Sequence, residues 1–175
     1  MSVKTLINKV LSPEIWPLFG ALGSASLLGG AFAFEHIGGY PPCPLCITQR
    51  WAHVWVIAIG IIGFAAITAS GAVRRAARLV CWALGIALLI SVYKAFNHAG
   101  IEYGWWAGPA SCTAFGSVEI SLDDLNSALN QRTNVVLCDE VAWEMFGISM
   151  AGWNGLVSLV LAGLSFTAAF RETRQ

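Results

Sequence analysis

Residues 51–73, WAHVWVIAIGIIGFAAITASGAV, make a run of 23 between Arg50 and Arg74 without one charged side chain. A helix needs roughly 20 apolar residues to cross the hydrocarbon core of a bilayer, so this run is long enough to span one. Three further runs lie outward from it. IWPLFGALGSASLLGGAFAF, 20 residues, lies between Glu14 and Glu35, and 26 uncharged residues separate Glu144 from Arg171. The run LVCWALGIALLISVY between Arg78 and Lys94 has only 15. Both flanking side chains are long enough to snorkel, which extends that span to about residues 76–97. The sequence therefore predicts an all-α membrane protein, a four-transmembrane-helix bundle in one integral membrane domain over residues 1–175, with spans at about 15–34, 51–71, 76–97 and 147–170. Outer loops are expected at about 35–50 and 98–146.

Composition points the same way. The chain is 57% hydrophobic and 11% charged, and its ten basic and ten acidic side chains cancel. A soluble domain carries about 25% charged residues, so much of this exterior faces something other than water. Zero net charge also removes the basic footprint of a nucleic-acid-binding protein.

Basic residues in short connections stay on the cytoplasmic side. Lys4 and Lys9 precede span one, Arg74, Arg75 and Arg78 join spans two and three, and Arg171 and Arg174 follow span four. The opposite face has Arg50, Lys94 and Arg132 in company with seven acidic residues from Glu102 to Glu144. Both termini are thus expected in the cytoplasm. A cleaved signal peptide ending near Ala31-Phe32-Ala33 is the competing reading of the first run, but its apolar core exceeds the roughly 7 to 15 residues such peptides use.

On this topology four of the five cysteines face outward. Cys43 and Cys46 form C-P-L-C in the first outer loop, Cys112 and Cys138 lie in the second, and Cys81 is inside span three. In an oxidising compartment such cysteines persist as disulfides, whereas in the cytosol they would suggest metal. A disulfide closing two intervening residues adds little chain-entropy stabilisation, so C-x-x-C reads as redox chemistry. Cys46 begins a helix whose amide groups favour an anion, and Arg50 stands one turn on; both lower a thiol pKa. Cys112 and Cys138 enclose 25 residues, where a structural disulfide competes with a mobile carrier. Within them, SLDDLNSALNQ at 121–131 reads as a short helix on the membrane surface.

The combination resembles the disulfide bond formation protein B (DsbB) family over nearly the whole chain. The residues that carry the resemblance are P-C-P-L-C-I-T-Q-R at Pro42 to Arg50, the separated Cys112 and Cys138, and C-D-E-V-A-W-E-M-F-G-I-S-M-A-G-W-N from Cys138 into span four. The resemblance implies a quinone-dependent protein-dithiol oxidoreductase of the bacterial inner membrane, with periplasmic cysteine loops. Electrons would pass from a periplasmic thioredoxin-like thiol oxidase to the Cys112–Cys138 disulfide, then to Cys43 and Cys46, and then to ubiquinone or menaquinone. Arg50 and Cys46 would face the quinone, with His98 as a further pocket residue, and no metal is implied. Such a pathway is an established kinetic source of periplasmic oxidation, and a donor near −120 mV demands a stronger acceptor such as a quinone.

Other residues read as structure. Cys81 has no cysteine partner at its depth and is expected to pack as a small apolar side chain. His53, two turns beyond Cys46, could serve proton transfer, but packing is the preferred reading. Trp51, Trp55, Trp105, Trp106, Trp143 and Trp153 suit interfacial anchors, and Gly20, Gly23, Gly30, Gly60, Gly63 and Gly85 suit close helix contacts. The rival functions are a vitamin K epoxide reductase-like oxidoreductase, whose C-x-x-C lies near a later span, and a non-enzymatic four-cysteine structural or zinc-binding membrane protein.

Overall fold

The computed structural model describes residues 2–70, 74–109 and 137–171. It opens with α1 (Val3–Val10), where Val3, Leu6, Ile7 and Val10 share one side at helical spacing. Val3, Leu6 and Ile7 are exposed, as in a helix resting on a membrane surface. Counting uncharged runs misses this element because Lys4 and Lys9 interrupt it. The long helices are α2 (Trp16–His36), α3 (Pro44–Ser70) and α4 (Arg74–Glu102), followed by a hairpin of β1 (Glu144–Met145) and β2 (Ile148–Ser149) and then α5 (Met150–Phe170). α2 to α5 are long and apolar enough to cross a membrane. The architecture is the four-helix membrane bundle that the sequence predicts.

Two helix limits differ from the uncharged runs. α3 begins at Pro44 rather than near residue 51, and α4 continues to Glu102 rather than ending near 97. Arg50 and His98 therefore stand inside helices. The physical reason for α3 is its cap: the Cys46 N–H donates to Cys43 Sγ at 3.2 Å, and Pro44 fills a first-turn position whose N–H would have no helical partner. The segment expected as a surface helix, 121–131, lies outside the described residues.

α4 packs most extensively on α5, α3 lies between α2 and α4, and α2 closes the ring against α5. The larger core holds Trp16, Val56, Cys81, Leu84 and Leu88. There the Trp16 indole N–H donates to Ser165 Oγ at 2.9 Å, joining the start of α2 to the end of α5. Large apolar side chains such as Trp55, Ile62, Leu79 and Val160 point outward, which suits a hydrocarbon solvent. Small residues let the helices approach closely. A Cβ at Gly60 would lie 2.6 Å from the Pro17 carbonyl, and one at Gly85 would lie 2.5 Å from Phe166. Gly30, in contrast, faces open space, so it makes no close helix contact.

The hairpin turns on Phe146 and Gly147, with φ of 57° and 73°. Positive φ at both central residues is the type I′ geometry that matches strand twist. Tyr103, just past α4, fastens the turn by donating to the Gly147 carbonyl at 3.2 Å and accepting from the Ser149 N–H at 2.7 Å. Ser149 then caps α5 by accepting from the Gly152 N–H at 3.1 Å.

Candidate active site

The first turns of α3 place Cys46, Gln49, Arg50 and His53 at helical spacing, so one face carries them all. The last turns of α4 bring His98 and Glu102 opposite that face, and the start of α5 adds Asn154. Cys43, Cys46 and Cys138 meet at the end of the bundle where α3 starts and α4 ends. Cys43 and Cys138 are buried with Ile101, and Cys46 packs against that cluster. Cys138 is disulfide-bonded; Cys112, its expected partner, lies outside the described residues.

The Cys43 and Cys46 sulfurs are 2.8 Å apart as free cysteines, and His98 Nε2 is 3.4 Å from Cys43 Sγ. The helix-terminal amides thus act on Cys43 rather than on Cys46, because Cys43 occupies the capping position and Cys46 the first turn. The hydrogen bond between the two sulfurs pulls the Cys43 pKa far below the ordinary thiol range. Burial opposes this, while His98 and the Cys46 N–H add to the lowering.

Behind Cys46 lies a cavity of about 90 Å³. Leu27, Leu28 and Phe34 supply apolar wall, and Arg50, His53 and His98 supply polar wall. The Arg50 guanidinium is held by α2, and it does not act on the Cys46 thiol as its spacing suggests. It pairs with Glu35, donates to the Ala31 carbonyl at 3.3 Å and stacks 4.9 Å from the Phe32 ring centroid. Arg50, Cys46 and His98 line the same cavity, and Glu35 is a partner of Arg50 that sequence reasoning missed.

A line of side chains joins the dithiol to the cavity. Gln49 Nε2 is 2.6 Å from His98 Nδ1, and Asn154 Nδ2 donates to Gln49 Oε1 at 2.5 Å. His53 Nε2 is 2.8 Å from Asn154 Oδ1 and 3.3 Å from Ser91 Oγ. Gln49, Asn154 and Glu102 were absent from the sequence-derived site. The available signal was polarity itself, since an amide within an apolar span needs a partner there.

Cys81 is fully buried in the larger core, where its thiol faces the Pro13 carbonyl at 3.6 Å. It sits 17 residues before His98 on α4, about 25 Å along the axis. That is a packing position.

The family model for Disulfide bond formation protein DsbB matches residues 13–168. Disulfide bond formation protein B of Polaromonas sp. (strain JS666 / ATCC BAA-500) is 28% identical over 164 residues, covering 89% of each chain. That of Methylococcus capsulatus (strain ATCC 33009 / NCIMB 11132 / Bath) is 32% identical over 152 residues, covering 85% of this chain and 88% of its own. Disulfide bond formation protein B 2 of Pseudomonas aeruginosa PAO1 is 30% identical, with coverages of 87% and 85%. No solved structure matches the chain. With a free C-x-x-C pair capping a membrane helix beside a buried third cysteine, and a match over nearly its full length, the chain belongs to the DsbB family of disulfide-forming membrane oxidoreductases.

Proposed function

We propose that the protein re-oxidises a periplasmic thioredoxin-like thiol oxidase and delivers the electrons to a membrane quinone, generating disulfides de novo. Both termini lie in the cytoplasm of a bacterial inner-membrane protein on this reading, and the cysteine loops lie in the periplasm, following the excess of Lys and Arg at one end.

The position of Cys46 carries the reading. On one side its partner Cys43 packs against Cys138, and on the other Cys46 lines the cavity with Arg50, His53 and His98. A donor thiolate attacks Cys112, which breaks the Cys112–Cys138 bond and frees Cys138. Cys138 attacks Cys43 of the closed Cys43–Cys46 pair, so one S–S bond forms as another breaks and the charge lands on Cys46. The donor's second thiol releases Cys112, and Cys112 reclaims Cys138 from Cys43. The reduced pair then holds two electrons, with Cys43 as the thiolate and one proton on Cys46, and closing Cys43–Cys46 releases the electron pair and that proton.

A bound quinone would supply the acceptor for that electron pair and for two protons, one from Cys46 and one from solvent. The cavity fits such a ring: its walls are apolar along α2 and polar along α3 and α4, and buried polar atoms of His53 and Glu102 lack partners among the described residues. Arg50 holds the polar edge, and the His98 Nε2–H holds the Cys43 thiolate.

Anaerobic mixing of the purified protein with a reduced thioredoxin-like donor and a quinone tests this. Loss of quinone absorbance equal to the donor dithiol oxidised is expected, and donor oxidation without quinone loss contradicts it. One observation favours a second use of the cluster: ligand atoms of Cys43, Cys46 and His98 lie within 4.8 Å of one another, a spacing that zinc could use. Stoichiometric zinc in the purified protein would support that reading instead.

A further inference from the structure

His53 is 3% exposed and lines the cavity two turns deeper than Cys46. Its Nε2 is occupied by Asn154 and Ser91, yet its Nδ1 has no hydrogen-bond partner among the described residues. A polar nitrogen buried without a partner is costly, so its retention calls for a ligand atom.

The hydrogen-bonded line fixes what Nδ1 can do. The Asn154 amide donates to the Gln49 carbonyl, so the Gln49 amide is left to donate to His98 Nδ1, which puts the His98 proton on Nε2, beside Cys43. The Asn154 carbonyl in turn accepts from His53 Nε2–H. Each donor points toward Cys43. A neutral imidazole that donates from Nε2 has a bare lone pair on Nδ1.

We infer that His53 Nδ1 accepts a hydrogen bond from a ring hydroxyl of the reduced quinone, so that the deep end of the cavity favours the hydroquinone over the quinone. The inference rests on the quinone reading proposed above and adds a residue and a direction to it. The oxidised ring presents carbonyl oxygens, which would set lone pair against lone pair at Nδ1. The reduced ring presents O–H. Preferential binding of the product form draws the electron pair forward from Cys46 and makes product release sensitive to His53.

The test measures binding of a short-tailed quinone and its hydroquinone to the oxidised protein by titration. It is paired with ¹⁵N spectra of histidine-labelled wild type. His53→Phe is expected to weaken hydroquinone binding about tenfold and quinone binding by less than about twofold, while His53→Gln, which keeps an acceptor, recovers part of the loss. A tenfold preference corresponds to about 30 mV in the potential of the bound two-electron couple. In wild type, the bare Nδ1 resonance should move on adding hydroquinone and stay on adding quinone, a readout that survives if a variant fails to fold. Equal losses for both ring forms in His53→Phe, or an unmoved Nδ1 resonance with hydroquinone bound, overturns the inference alone. A wild type that binds neither form overturns the quinone reading together with it.

Discussion

Cys43 carries the thiolate of the reduced pair, because the Cys46 N–H donates to its sulfur and His98 Nε2 lies beside it. A thiol whose pKa is lowered by folding stabilises the fold above its unfolded value of about 8.5, and that stabilisation disappears as pH falls through the folded value. Reactivity follows ionisation. Alkylation of Cys43 in the reduced protein should change less than about twofold between pH 6 and pH 8, where an ordinary thiol slows about tenfold per unit. Mass spectrometry of iodoacetamide-treated protein checks this, and His98→Ala should steepen the profile. Arg50 gives the second expectation at this scale. Arg50→Met should raise the apparent quinone requirement about tenfold or more, since a hydrogen bond to a charged group is worth about 1.5 to 3 kcal/mol. Arg50→Lys should raise it less, having lost the planar fork but kept the charge. Quinone titrations of turnover decide both. Cys43, Cys46 and Arg50 were legible because their residue types and spacing announce redox and anion chemistry, whereas His98 came only from the family resemblance. Gln49, Asn154 and Glu35 were not, because each acquires a partner only when α2, α3, α4 and α5 come together.

Helix limits show where charge counting stops being informative. An uncharged run measures the hydrocarbon layer, so it ends at Arg50 although α3 starts at Pro44. The proline and the thiol before it mark that start, a capping signal independent of hydropathy. The α5 start has a similar device in the Phe146-Gly147 turn and the Ser149 cap. Ser149→Ala should cost about 1 kcal/mol of stability. Phe146→Gly should recover about 1 kcal/mol by relieving a non-glycine left-handed residue. Thermal unfolding in detergent measures each. α1 went unread because eight amphipathic residues with two lysines resemble a polar leader when only spanning length is scored.

The bundle as a whole keeps its apolar surface outside and its small and polar residues between helices, which a charge fraction of 11% already implies. That organisation separates two ends. The redox cluster occupies the end formed by the starts of α3 and α5 and the end of α4, while Cys81 packs far from it. Cys81→Ala should therefore leave turnover within about twofold of wild type, because this thiol cannot reach Cys43, Cys46 or Cys138 without large helix movement. On the proposed function, electrons enter at Cys112 and leave from Cys46 along one path. Cys112→Ser puts this to the test, with quinone reduction followed once from the soluble donor and once from a small dithiol. The donor-driven reaction should vanish and the dithiol-driven reaction should persist near the wild-type rate; donor-driven quinone reduction at an unchanged rate in Cys112→Ser would contradict that path.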